Sequence, residues 1–397
     1  MTAQALPAPS SSIGPIAWLH RNLFSGPLNS IFTVLLGAAI VWVTLQVGAW
    51  AATEARWSVV TDNLRIFLIG RYPAEQAWRI WLSLAMLSVL CGASAGSLGR
   101  TARILAVTLS SFQVLLAILI AVSPIGLLGT VAYAGNATAV WIGYVVGLRG
   151  WIRRRALTLA WLVSLPVTFI LIAGLADTPV ASVGSNLWGG LLLTVVLAAV
   201  GIVLSFPFGV LLALGRRSRL PVVRVLSIAY IELIRGVPLV TILFMADLIL
   251  PVFLPAEWRL DRVARAMGGI TLFSAAYVAE NVRGGLQAIP TGQVEAAQAL
   301  GLSGVQTNVS IVLPQALRAV IPANVGLFIS LLKDTTLVTI IGLLEILGIG
   351  RAVLAQSESL GARMEVYAFV AAVFFFLCYA MSQASYRIER ALGVGTR

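Results

Sequence analysis

Five stretches of this chain, residues 28–52, 104–122, 127–147, 156–175 and 188–214, contain no ionised side chain. A helix of about 20 apolar residues crosses the ~30 Å hydrocarbon core of a bilayer. A chain with several such stretches folds as a bundle of membrane-spanning helices, because only helices and closed barrels satisfy their backbone polar groups in lipid. Composition agrees: 59% of the 397 residues are hydrophobic and 11% are charged, where a soluble domain carries about a quarter charged.

Ten spans are predicted, at 28–52, 78–98, 104–122, 127–147, 156–175, 188–214, 222–250, 267–288, 319–345 and 365–386. The third and fourth give the weakest signal, and without them the count is eight. The fold class is all-α and polytopic. Residues 1–27 read as a disordered or interfacial N-terminus that contains no cleavable signal. The single histidine, His20, reads as interfacial.

The net charge of +12 comes almost wholly from arginine, since Lys333 is the only lysine. The arginines cluster in short loops, which is how a membrane protein sets its orientation, and a nucleic-acid partner is rejected. With both termini in the cytoplasm, the inside receives Arg21, Arg100, Arg103, Arg149, Arg153, Arg154, Arg155, Arg216, Arg217, Arg219, Arg224, Arg283, Arg318, Arg387, Arg390 and Arg397. The outside receives fewer: Arg56, Arg65, Arg71, Arg79, Arg259, Arg262, Arg265, Arg351 and Arg363. Tryptophans 50, 57, 78, 151, 188 and 258 fall near span ends, as an interfacial belt requires.

Scarcity excludes much chemistry. The chain has two cysteines, Cys91 and Cys378, and no Cys/His metal-ligand spacing. Its only lysine follows Leu332, so the chain lacks a Gly-Lys-Ser/Thr phosphate loop. An intramembrane hydrolase would need a nucleophile and base at membrane depth, and the histidine at position 20 is badly placed for that. A channel would have no use for the cytoplasmic loop described next.

The chain divides by character into a hydrophobic region, 28–180, and a region from 185 to 397 whose spans contain Glu232, Arg235, Asp247, Glu280, Lys333 and Asp334. Ionisable groups at membrane depth are costly and usually line a polar path or a bundle interior. The longest inside loop, 284–318, contains Pro290, which ends the preceding helix. The run Glu295-Ala296-Ala297-Gln298-Ala299-Leu300 then favours a short helix, and Gly301 favours a left-handed cap. Ile311-Val312-Leu313-Pro314 follows.

Glu295-Ala296-Ala297, three residues, Gly301, nine residues, and Ile311-x-Leu313-Pro314 match the EAA loop of ABC importer permeases. Trp188-Gly-Gly, Pro207-Phe-Gly, Tyr230-Ile-Glu232-Leu-Ile-Arg235-Gly-Val-Pro238, Tyr277-Val-Ala-Glu280-Asn-Val-Arg283 and Leu332-Lys333-Asp334-Thr335-Thr336-Leu337 resemble the polar-amino-acid branch. Thr336 stands where serine is commoner. The resemblance covers about 185–390. The N-terminal extension is similar to that of the larger permease of general L-amino-acid importers.

The resemblance implies a five-helix type I importer core in the C-terminal half, located in a bacterial inner membrane. It implies that Glu295 to Gly301, with Pro314, form a coupling helix seated in a separate ATPase, and that the permease works by alternating access. The implied partners are a second, shorter permease, two ATPase subunits that bind ATP and Mg, and a periplasmic amino-acid-binding protein. This chain itself is expected to bind no cofactor. Candidate path residues are Glu232, Arg235, Pro238, Glu280, Lys333, Asp334 and Thr335. Glu232 and Arg235, three apart on one helix face, read either as a mutual pair or as contacts for a zwitterion. Arg283 is the expected partner of Glu280. Lys333 and Asp334 either fix the ninth span to its neighbours or line the path.

Overall fold

The computed structural model describes residues 14–99, 102–175, 181–255 and 260–393. The expected unstructured stretch 1–12, Trp258, Arg100, Arg259 and Arg397 lie outside these residues. The chain divides into two compact units, one ending at Trp57 and one beginning at Ser58.

The first unit holds α1 (Pro15–Asn22) and α2 (Pro27–Thr53). Within 1–27, expected to be disordered or interfacial, residues 15–22 form a helix. Each helix opens with proline at its first position, where the missing N–H costs nothing, and each proline follows a glycine, Gly14 or Gly26. At 27 residues, α2 is about 40 Å long. Near its C-terminal end the Trp50 and Trp57 rings lie 5.8 Å apart.

The second unit begins with α3 (Ser58–Asp62) and α4 (Leu64–Ile69). Four long helices follow: α5 (Trp78–Ser97), α6 (Arg103–Ala121), α7 (Gly126–Leu148) and α8 (Arg154–Ala173). The C-terminal part comprises α9 (Gly190–Arg216), α10 (Pro221–Arg235), α11 (Leu239–Phe244), α12 (Leu250–Phe253) and α13 (Arg262–Gln287). Then come α14 (Thr291–Ala299), α15 (Gly304–Gln306), α16 (Leu313–Ala319), α17 (Ile321–Asp334), α18 (Ile346–Leu354) and α19 (Arg363–Leu392).

Helices occupy all ten segments predicted as spans. Among the described residues, eight are long and apolar enough to cross a membrane singly, and a bent pair makes a ninth. The tenth segment, α13, carries Arg265, Glu280, Asn281 and Arg283 and is more polar than the others.

The span expected at 222–250 is not one helix. It breaks at Gly236-Val237-Pro238, and the two arms meet at 107°. Pro238 has no N–H for Ile234 and pushes Val237 away from helical geometry. A π-turn at Met245–Ile249 links α11 to α12. The ninth span runs to Ile341 but is not α-helical throughout. After Asp334 the chain tightens into a 3-10 turn, Thr335–Ile341, and reverses at Gly342 with φ +80°.

Small residues set the closest helix crossings. A Cβ on Gly201 would lie 2.8 Å from Ile270 Cγ2, and one on Gly209 would lie 2.5 Å from Val278 Cβ, so α9 and α13 meet along most of their length. The 58–173 helices join the same unit instead of standing apart. Leu64, Phe67 and Tyr72 are fully buried. Phe67 meets Phe369 edge-on at 5.1 Å, and Tyr72 Oη donates to the Ile172 carbonyl at 2.9 Å. The expected division at 180–185 is thus one of composition, while the compact units divide at 57/58.

Candidate coupling loop and substrate path

The loop geometry follows from local sequence. Pro290, with φ −58° and ψ 138°, precedes α14. After Leu300, Gly301 takes φ +77°. Its N–H donates to the Gln298 carbonyl at 2.9 Å, and Leu302 N–H donates to the Ala297 carbonyl at 3.1 Å. These two bonds form a complete Schellman cap. Ser303 and Gln306 then form a reciprocal capping box that opens α15. A π-turn, Thr307–Val312, hands over to α16, where Pro314 occupies the first turn.

Ala297 is buried and anchors α14 to the chain. Glu295, Ala296, Gln298, Ala299, Leu300 and Pro314 are exposed. Leu300 is 82% exposed, large for an apolar side chain. No atom lies within 4 Å of a Cβ placed on Gly301. The motif therefore presents a face of small and apolar groups to whatever lies beyond this chain. Behind it, α16 stacks on the end of α13, where a Cβ on Gly285 would lie 2.4 Å from Val320 Cγ1.

The charged candidates form a network that differs from the expected one. Glu232 does not pair with Arg235. Arg216 Nη1 lies 3.0 Å from Glu232 Oε1 and 3.7 Å from Glu280 Oε2. Arg235 Nη1 lies 3.5 Å from Glu280 Oε2, and its guanidinium sits 5.9 Å from the centre of the Tyr277 ring. Arg283 Nε donates to Glu280 Oε1 at 2.9 Å, as expected, and Arg283 Nη1 donates to Gln287 Oε1 at 2.7 Å. Glu280 is thus the hub. The mutual-pair reading fails because α10 crosses α9 and α13, which brings stronger partners from other helices. Three arginines against two glutamates leave one positive charge, a composition that attracts a further carboxylate.

Lys333 and Asp334 stand apart from this network. Lys333 is exposed and Asp334 is half-buried. Thr335 is buried, and its hydroxyl donates to the Leu332 carbonyl at 2.7 Å. Pro238 is exposed and starts α11.

Several polar residues outside the candidate set have structural roles. Arg216, counted in the sequence as a loop charge, joins two carboxylates. Asp247, on the π-turn, is paired with Arg265 at 2.8 Å and Arg262 at 3.2 Å, at the end of α13 far from Glu280. Glu345 is fully buried. It caps α18 by accepting from Leu347 N–H at 2.9 Å and Gly348 N–H at 2.8 Å. The signal for Glu345 was present as an acidic residue just before an apolar helical run.

Comparison with known proteins accords with this arrangement. Residues 205–392 match the family described as binding-protein-dependent transport system inner membrane component. The chain is 38% identical to the glutamate/glutamine/aspartate/asparagine transport system permease protein BztC of Rhodobacter capsulatus, over 97% of this chain and 95% of that one. It is 34% identical to the inner membrane amino-acid ABC transporter permease protein YhdY of Escherichia coli, over 98% and 96%. A probable glutamine ABC transporter permease, GlnP of Bacillus subtilis, is 37% identical over 51% of this chain and 92% of its own length. Among solved structures, an amino acid ABC transporter crystallised with histidines matches 51% of this chain and 91% of its own, at 28% identity and a TM-score of 0.46. With two relatives aligned along nearly their whole length, this multi-pass chain belongs to the inner-membrane permease subunits of amino-acid ABC importers.

Proposed function

We propose that this subunit, paired with a second and shorter permease, imports polar amino acids, with acidic amino acids and their amides as the first substrates to test. The substrate class rests on the similarity to BztC and GlnP and on the excess positive charge around Glu280. Both termini face the cytoplasm, on the arginine distribution. Two ATPase subunits bind ATP and Mg, and a periplasmic binding protein delivers the substrate. Glu295, Ala296, Gln298, Ala299, Leu300, Gly301 and Pro314 meet the ATPase, with Ala297 holding the helix to this chain. Glu232, Arg235, Pro238, Glu280, Lys333, Asp334 and Thr335 line the path.

The observation that carries this reading is α14. It is a capped helix that exposes Leu300, Ala296 and Ala299, and among the described residues no atom lies within 4 Å of a Cβ on Gly301. The test is purification through a tag on this chain, followed by reconstitution with the binding protein. Co-purified ATPase, and ATP hydrolysis stimulated by liganded binding protein, are the expected results. A tagged chain that arrives without an ATPase subunit, or uptake that proceeds without ATP, overturns it. A reporter fused after Arg219 reads cytoplasm; a periplasmic reading reverses the orientation.

A further inference from the structure

The segment α10 is held unlike any other long helix of the second unit. It ends in the three-residue break at Gly236-Val237-Pro238, beyond which the chain turns by 107°. Of its 15 residues only Ser227 and Ile231 are buried. Apolar contact is therefore slight: Ile231 joins the cluster of Ala213, Val278 and Val282. Polar contacts supply the rest. Tyr230 Oη donates to the Leu272 carbonyl of α13 at 2.7 Å. Arg216 of α9 takes Glu232 at 3.0 Å, and Arg235, the last residue before the break, takes Glu280 of α13 at 3.5 Å.

We propose that the Glu280 network is a latch and the Gly236-Val237-Pro238 break its hinge, so that α10 is a gate that swings at the coupling-loop end of the path. The proposal rests on the permease reading above. Three features support it. Every ion pair in the network is partly exposed, with side-chain exposures of 23–55%, so each is weak and readily exchanged. Glu280 sits on the same helix that leads into α14, and Arg283 connects it to Gln287, the last residue of that helix. Displacement of α14 by an ATPase therefore pulls on the hub. Arg216 bridges Glu232 and Glu280, so loosening the hub loosens both attachments of α10 together.

One test locks the gate covalently. A Cβ placed on Gly215 lies 3.3 Å from Ser227 Cβ, close to the ~3.8 Å of a disulfide. In the reconstituted complex, the Gly215→Cys/Ser227→Cys pair is expected to lose uptake about tenfold on oxidation and to regain it with dithiothreitol, with ATPase subunits bound throughout. A tenfold loss corresponds to about 1.4 kcal/mol on the rate. Cross-linked complex that transports as fast as the dithiothreitol-treated complex overturns the gate.

The second test weakens the latch. Glu280→Gln is expected to raise ATP hydrolysis without binding protein about fivefold while uptake per ATP falls. Unaltered basal hydrolysis and uptake in Glu280→Gln overturns the latch. Failure of the permease reading looks different, because the unmodified complex itself would then show no ATP-driven uptake.

Discussion

Two attachments within the second unit, that of α5 to α7 and that of α10 to α13, work by opposite means. In the extension, α5 and α7 are fused backbone to backbone. A Cβ on Gly92 would lie 2.0 Å from the Val140 carbonyl oxygen, and one on Gly96 would lie 2.2 Å from that of Tyr144. Reciprocally, a Cβ on Gly143 would lie 2.1 Å from the Val89 carbonyl oxygen, and one on Gly147 would lie 2.1 Å from that of Ala93. Each helix carries a pair of glycines four apart, the spacing that lets membrane helices approach most closely. The buried amide of Gln113 adds a bond to Ser88 Oγ at 2.8 Å. In the permease core, α10 is instead attached through partly exposed ion pairs. Close packing in lipid has no favourable half-released state, since parting the backbones forfeits dispersion contacts and leaves a void. An exposed ion pair can exchange for water or another partner at little cost. The α5–α7 crossing is therefore suited to stay still, and the attachment of α10 is suited to exchange.

The comparison breaks most visibly at Gly92. Gly92→Leu must force α5 from α7, because its Cβ alone meets the Val140 carbonyl. Overpacking of this kind costs ~1–3 kcal/mol or more. The chain is expected to be lost from the membrane fraction or to melt well below wild type in detergent, as fluorescence-detected size exclusion reads directly. Wild-type melting would show that the weld is an illusion of geometry.

Gly301→Asp separates the regions next. Its left-handed backbone makes a side chain cost of order 1 kcal/mol, yet nothing in this chain meets the new Cβ. The chain is expected to accumulate and melt almost normally while ATPase association and uptake disappear. Full ATPase binding and stimulation in that variant would remove the coupling role of α14.

Arg235→Ala tests whether the core tolerates loss of one ion pair. Glu280 keeps Arg216 and Arg283, so accumulation is expected to be near normal with uptake several-fold lower, the scale of ~1 kcal/mol. Failure of the chain to accumulate would make the network a structural weld like that of α5 and α7. Glu295→Ala should have the smallest effect, since it removes one exposed polar group from the docking face without a clash. A modest drop in stimulated ATP hydrolysis, read at several ATPase concentrations, is expected. A loss as complete as that of Gly301→Asp would mean that Glu295 is the main anchor.

Sequence alone determined the membrane class, the ten helical segments and the local form of the 290–301 loop, for one reason: each is set by residues close together in the chain. Pro290, the Glu295–Leu300 run and Gly301 dictate a break, a short helix and a left-handed cap whatever surrounds them, and the structure has all three. The glycine pairs at 92/96 and 143/147 were visible as spacings, but no local rule says which helix a glycine will face. Tertiary structure alone decided that Glu232 reaches Arg216 and not Arg235, that Glu280 gathers three arginines, and that Phe67 and Tyr72 belong to the core. It also turned the apolar stretch 222–250 into two arms at 107°. Hydropathy measures how much a segment prefers lipid and carries no information on its direction. Charge partners depend on how helices cross, and that crossing is settled by side chains from segments about 40 to 300 residues away, such as Tyr230 against Leu272 and Phe67 against Phe369.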